Sequence, residues 1–336
     1  LLNDLVMNRF IYSWIFLLCV LATGCDSMFE KELPPHNLVG ENAITNESSA
    51  EVALNGIYSY LTSYGTMSAY YISDNEYRTG LLDSTYRTAF ELNQLLEFEM
   101  NDEDGYVSAP WQLVYKMVNA ANNFIYNVEK LSESKFGQNR KTEMLAEAKF
   151  TRAFAHAFLL RRYGYFWDTN SDYGPIIRLE PSALSNNNQG RSSVKESYEK
   201  IFEDLDYAIK YGPEFYSRYR GCATTAKAFK ADLLMNRGAE GDYAEAIRLA
   251  DEVIGSSEFG LEATYRDIFT NGYNSKELMF TRHLKSVPTM MANVGSLLKL
   301  FGGGTYKPSK LFLEILTPKD KRYVVTLDSM VIGNGT

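Results

Sequence analysis

Cysteine is scarce: three occur in 336 residues, at 19, 25 and 222. Histidine is as rare, and His36, His156 and His283 lie far apart. These counts exclude a disulfide-stapled scaffold and a cysteine-rich zinc site, and no H-E-x-x-H pair exists. A basic excess is also missing, since 34 Lys and Arg face 42 Asp and Glu, a net charge of −8. Nucleic-acid binding is therefore not expected, because domains that neutralise phosphates are usually basic. No apolar run approaches the ~20 residues that carry a helix across a bilayer. There is no Walker loop, no G-x-S-x-G elbow and no G-x-G-x-x-G turn, so neither catalysis nor a cofactor is expected. Gly302-Gly303-Gly304 lacks a preceding strand and following helix and reads as a loop.

What is present is an ordinary globular composition, 45% hydrophobic and 23% charged, with an excess of aromatics: 24 Tyr, 19 Phe and 3 Trp. Tyrosine suits half-wet surfaces, where the ring packs and the hydroxyl finds a partner. From Met7 the chain reads Asn8-Arg9, then an apolar stretch from Phe10 to Ala22, then Thr23-Gly24-Cys25. This order of charge, grease and small residues describes a secretory signal over 1–24. A Cys directly after Leu21-Ala22-Thr23-Gly24 resembles a bacterial lipobox, with Ala22 where Leu is usual, and predicts acylation at Cys25. In an ordinary secretory signal that Cys is incidental. Only Cys222 would remain after acylation, so no disulfide is expected in the mature chain.

Residues 25–45, with Pro34-Pro35 and Gly40, read as a tether. The body, 46–258, reads as helix after helix. Ala50, Leu54, Ile57, Tyr58 and Leu61 share a face in Glu47–Ser63. Pro110–Leu131 opens on a proline and carries an apolar stripe from Trp111 through Val114, Tyr115, Val118 and Asn122 to Val128, which assigns Trp111 to the core. Lys141–Tyr163 is apolar nearly all round, the mark of a central buried helix. His156 within it reads as a core residue. Arg152 there needs a partner, expected from a carboxylate on another helix because Glu147 is out of phase. Ser193 to Glu196 forms a capping box before apolar positions 194, 198, 201, 202, 205, 208 and 209. A helical pair spans Thr225–Arg237 and Tyr243–Ile254, and Gly241-Asp242-Tyr243-Ala244-Glu245-Ala246-Ile247 is similar to the second helix of a tetratricopeptide repeat, with Asp242 as cap. The predicted fold is therefore all-α dominated, built of tetratricopeptide-like pairs, with a loop-rich, minor-β part over 259–336. Strands are expected within Tyr323–Ile332, and Gly333-Asn334-Gly335-Thr336 reads as a turn into a missing partner, so the sequence is expected to be truncated at its C-terminus.

The order of motifs resembles the SusD-like (RagB/SusD) family of outer-membrane nutrient-uptake lipoproteins. The resemblance rests on Leu54-Asn55-Gly56-Ile57-Tyr58 and on Trp111, Tyr115, Asn119, Ala121 and Asn122. It continues through Glu147 to Phe154, Arg162-Tyr163-Gly164, Ala250 to Ile254, Lys276 to Phe280, a Tyr306-Lys307-Pro308 turn and Asp320-Lys321-Arg322. Two departures stand out: the family runs on past this end, and Tyr165–Pro175 is longer than the usual turn. The resemblance implies a helical, surface-exposed lipoprotein of the outer membrane. It would cap a SusC-like, TonB-dependent β-barrel transporter and bind oligosaccharide, or in a subset peptide, without catalysis.

A sugar ring has an apolar face and hydroxyl edges, which aromatic and Asp, Asn or Arg side chains suit. The loops implied by the resemblance make Tyr71, Asp74, Tyr77 and Tyr86 candidates on one side of the ligand and Tyr273 and Tyr306 on the other, with Trp167 in the lengthened loop. Asp168, Asn170 and Asp172 have calcium-loop spacing, but Tyr173 and Leu179 stand where Gly and a carboxylate are needed, so a polar surface loop is the competing reading.

Overall fold

The first helix begins where Asn46 offers its side chain to the Ser49 amide (3.0 Å) and Ser49 answers by accepting from the Asn46 amide (3.1 Å). This reciprocal cap starts α1, Glu47–Ser59, which a single 3-10 turn, Tyr60–Thr62, extends. Ala50, Leu54, Ile57, Tyr58 and Leu61 are all buried, as their spacing predicts. The computed structural model describes residues 43–62, 79–84, 101, 105–281 and 306–326. All of these but Ala43 belong to a unit running from Ile44 to Thr336.

Helix α2, Gly105–Lys130, starts before the proline and not at it. Pro110 sits in the second turn, where it cannot donate to the carbonyl four residues back. The early turn is held from outside, because the Tyr163 hydroxyl donates to the Val107 carbonyl (2.8 Å). Helix α3, Arg140–Tyr163, is the central rod. It packs against α1, α2 and α4, Val194–Tyr211. Ala146, Ala148, Ala153, Ala155 and Ala157 are almost wholly inaccessible and let these neighbours approach closely. Ser193 caps α4 by accepting from the Glu196 amide (3.1 Å). Helices α5, Ala223–Arg237, and α6, Asp242–Ile254, form the repeat-like pair. One core runs through α3 to α6, with Phe150, Leu160, Tyr198, Ile201, Leu205, Leu233 and Leu249 among its buried members.

Asp242 does not cap α6; Gly241 is its cap. Asp242 is the first helical residue, and its carboxylate reaches back to accept from Arg237 Nε and from the Ala239 amide, both at 2.8 Å. It thus staples the turn between the two helices. Gly238 ends α5 in the left-handed region (φ 60°), which a residue with a Cβ adopts only under strain.

Among the described residues three short helices follow: α7, Tyr265–Asn271; α8, Lys310–Ile315; and α9, Tyr323–Thr326. The strand expected from Tyr323 onward is therefore helical up to Thr326. The Asp320 turn decides this: its carbonyl accepts from Tyr323 (3.0 Å) and its carboxylate from the Arg322 amide (2.8 Å), winding the chain against the β-preference of Val324 and Val325. Residues 327–336 lie outside the described residues. The Tyr306-Lys307-Pro308 segment is not a turn but a strand, β2, paired antiparallel with β1, Leu82–Ser84.

His156 is buried, and its Nε2 accepts from the Arg178 amide (3.3 Å). Burial, with Arg152 nearby, lowers its pKa to about 3. The unfolded chain takes up a proton near pH 6.5 and the folded chain does not. The stability held by the neutral ring is therefore complete above that pH and is lost as pH falls towards 3, at about 1.4 kcal/mol per pH unit. Between about pH 7.5 and pH 5, urea titrations should show about 2 kcal/mol less loss for His156→Gln than for the unaltered chain. Equal losses would place the acid sensitivity elsewhere.

Candidate functional site

Trp111, Tyr115 and Asn119 recur every four residues along α2, so they share one face of that helix. Trp111 meets another helix only at the end of α3, at Tyr163. Tyr115 and Asn119 meet the extended connection between α3 and α4. The Tyr115 hydroxyl accepts from the Ile176 amide (2.9 Å) and donates to the Ile176 carbonyl (3.0 Å). Asn119 Oδ1 accepts from the Ser182 amide (2.8 Å). Buried Asn122 donates to the carbonyls of Arg178 (3.0 Å) and Glu180 (2.9 Å). The helix side chains thus stand in for a partner strand, which this extended segment does not have among the described residues. Burial raises the Tyr115 pKa to about 12, so its hydroxyl keeps the proton it donates.

Arg152 completes this rack from below. Its Nε and Nη2 reach the two Asp204 oxygens on α4 at 2.7 Å each, and Nη1 donates to Asn122 Oδ1 (2.8 Å) and to the Leu179 carbonyl (3.2 Å). The expected carboxylate on another helix is Asp204.

Between α2 and the extended segment lies a cavity of about 390 Å³, with Trp111 and Tyr115 on one wall and Ile176 and Arg178 on the other. Trp111 is therefore not a core residue. Its indole is half-buried, edge-on to the rings of Tyr115 (4.7 Å) and Tyr163 (5.0 Å), near the N-terminal end of the stripe. The buried track on α2 is instead Val114, Met117, Val118, Ala121 and Ile125. Two other cavities, of about 430 and 370 Å³, share Phe154, Phe229 and Asp232. Two of the charged groups there, Arg161 and Asp232, are bonded to each other.

The lengthened loop after α3 forms an aromatic ledge. Tyr165 and Trp167 stack with ring centroids 5.4 Å apart at 21°, and Tyr173 lies 5.2 Å from Tyr165. All three face solvent, at 50%, 63% and 57% exposure. The loop is closed at its base, where the Tyr165 amide donates to the Tyr173 carbonyl (3.0 Å) and the Gly174 amide to Ser192 (2.9 Å). A Cβ on Gly174 would come within 2.6 Å of the Ser192 carbonyl and 2.8 Å of the Ser193 carbonyl, so only glycine fits. Gly174→Ala is expected to cost about 1–3 kcal/mol in chemical denaturation, because backbone and not a flexible side chain must yield. Arg191 ties ledge to cavity: its guanidinium lies over Tyr173 (5.8 Å), and it donates to the carbonyl of Tyr163, whose ring packs on Trp111.

Of the residues singled out in the sequence, Trp167 is on this ledge. Asp168, Asn170 and Asp172 flank it; Asp168 accepts from the Asn170 amide (3.0 Å), which shapes the turn. Among the described residues, no group of three or more His, Cys, Asp or Glu side chains could hold a metal. Tyr273 lies elsewhere, its ring edge-on to Tyr219 (5.5 Å). Tyr306 is in β2, opposite Ser84. Cys25, Tyr71, Asp74, Tyr77 and Tyr86 lie outside the described residues. Sequence reasoning missed Tyr165 and Tyr173 as companions of Trp167. Their signal was the length of the loop, which a mere turn does not need.

A family model described as "Starch-binding associating with outer membrane" matches residues 39–233. The SusD-like protein P2 of Formosa agariphila is 27% identical over 282 residues, covering 82% of this chain and 53% of that one. A SusD-like protein of Bacteroides ovatus is 26% identical over 273 residues, covering 77% and 47%. The chain thus spans about half the length of the curated relatives it matches. A crystal structure of a SusD superfamily protein from Bacteroides vulgatus superposes with a TM-score of 0.74 at 18% identity, over 86% of this chain and 67% of the other, a likeness of fold. The match runs through α1, the Trp111 to Asn122 rack, the central rod and nearly all of α5, and on that span the chain belongs to the SusD-like family.

Proposed function

We propose that this chain captures oligosaccharide at the outer face of the outer membrane and delivers it, unaltered, to a SusC-like TonB-dependent β-barrel. In this reading Cys25 carries the acyl anchor and 25–45 is the tether that lets the helical body move over the barrel. Several acyl chains together hold a protein stably to a membrane, which a single chain does not. The observation that carries the proposal is the ledge. Two stacked rings held open to water on a loop with a fixed base are poorly placed for folding, yet well placed to cover the apolar face of a sugar. Asp168, Asn170 and Asp172 stand beside them to receive hydroxyls.

A good ring contact contributes about 0.5–1.5 kcal/mol, so Trp167→Ala should weaken glycan binding about two- to tenfold in calorimetry. Its exposure means that the unfolding midpoint should stay unchanged. Retention of peptides, with no glycan of a broad panel retained, would replace this reading by the peptide-handling one. Co-purification of a β-barrel with the acylated chain from outer membranes tests the partnership.

A further inference from the structure

Among the described residues lining the Trp111 cavity there are two cationic side chains, Lys116 and Arg178, and no carboxylate. This is a local reversal of sign in a chain of net charge −8. Arg178 is held in place, since Nη1 donates to the Asn186 carbonyl (3.1 Å) and Nη2 to that of Asn187 (2.8 Å), while its other N–H groups bond to no described residue. The Gln112 amide, the Lys116 ammonium and the Asn187 side chain bond to no other described residue, yet all border the cavity. The wall beneath them is the indole of Trp111 and the ring of Tyr115. Aromatic wall, uncommitted amides and fixed positive charge in one concavity match a saccharide unit that bears an anion.

We infer that this cavity is a second saccharide subsite, distinct from the ledge, and that it takes an acidic sugar, with Lys116 and Arg178 receiving a carboxylate or sulfate ester. The inference rests on the glycan-capture reading and specifies its ligand class. The chain's overall negative charge would repel an acidic polymer, so a cationic cavity at the contact point supplies selectivity for it.

The test uses the chain from Cys25 onward with Trp167 changed to Phe, which leaves Trp111 as the only tryptophan of residues 25–336. The probes are short oligogalacturonate, its methyl ester, and a sulfated galactan oligosaccharide. Oligogalacturonate should shift the Trp111 emission, and the uncharged methyl ester should bind at least about tenfold more weakly. Binding should weaken as salt rises, and in the otherwise unaltered chain Lys116→Gln should weaken it about threefold or more in calorimetry. The sulfated probe distinguishes the two anions. Equal binding of acid and ester, or binding that leaves Trp111 emission and the Lys116→Gln affinity unchanged, would overturn the subsite while leaving glycan capture standing. Failure of every saccharide to bind the unaltered chain would overturn both.

Discussion

Asp204→Ala is expected to lower the unfolding free energy by about 3–5 kcal/mol, because it leaves the Arg152 guanidinium buried without its counter-charge. Both residues are almost inaccessible, and the pair is bidentate at 2.7 Å. The loss should not remain local. Arg152 also holds Asn122 and the Leu179 carbonyl, and Asn122 holds Arg178 and Glu180. Hydrogen exchange should therefore quicken along 176–182 before the helices themselves open. A double variant, Arg152→Met with Asp204→Leu, should recover most of the stability, since a packed apolar pair replaces a costly buried one. It should not recover the protection of 176–182, which depends on the guanidinium. Protection of 176–182 restored in the double variant to the level of the unaltered chain would show that Arg152 has no role in positioning the segment.

Glu147→Gln is expected to be comparably damaging, at about 3–5 kcal/mol. The Glu147 side chain is wholly buried and sits between two arginines, with Arg220 Nε at 2.6 Å and Arg140 Nη1 at 3.2 Å. The hydroxyls of Tyr216 (3.1 Å) and Tyr58 (3.4 Å) also donate to it. One carboxylate thus joins α1, α3 and the connection between α4 and α5. Burial and the Glu147 charge raise the pKa of Tyr216 to about 12, which keeps its donor proton in place through neutral pH. Glu51 partly compensates both arginines, at 2.7 Å and 2.9 Å, but it is more exposed and cannot replace a buried acceptor. Urea denaturation of Glu147→Gln and of Glu51→Gln should separate the two, with the Glu51 change costing about 1 kcal/mol or less. A reversed order would place the organising charge at the surface.

Most of the helical body was legible in the sequence because its order is periodic. The apolar positions of α1 and α4 fall one turn apart, and all of them are buried except Ile209, which is partly so. Arg152 was legible too, since a charge in an apolar helix must find a partner and Glu147 points elsewhere. What periodicity does not encode is a hydrogen bond to distant backbone. Tyr115 and Asn122 read as part of an apolar stripe and Asn119 only as a motif residue, yet they serve carbonyls and amides some sixty positions on, at 176, 178, 180 and 182. Trp111 was misplaced as well, because outside its own helix it packs only on Tyr163 at the end of α3 and otherwise borders the cavity in front of the extended segment. Val324 and Val325 failed in the opposite sense: local β-preference was overruled by the Asp320 turn. The ledge was half legible, in that Trp167 stood out by residue type while its companions needed the loop to close.

The most direct measurement is calorimetry of the full chain against a panel of polysaccharide fragments, with each recovered fragment sized by chromatography afterwards. This account predicts that at least one glycan binds, that Trp167→Ala weakens it, and that the fragment is recovered at its original length. A chain that binds none of them, or that returns shortened fragments, would contradict the reading of this protein as a receptor.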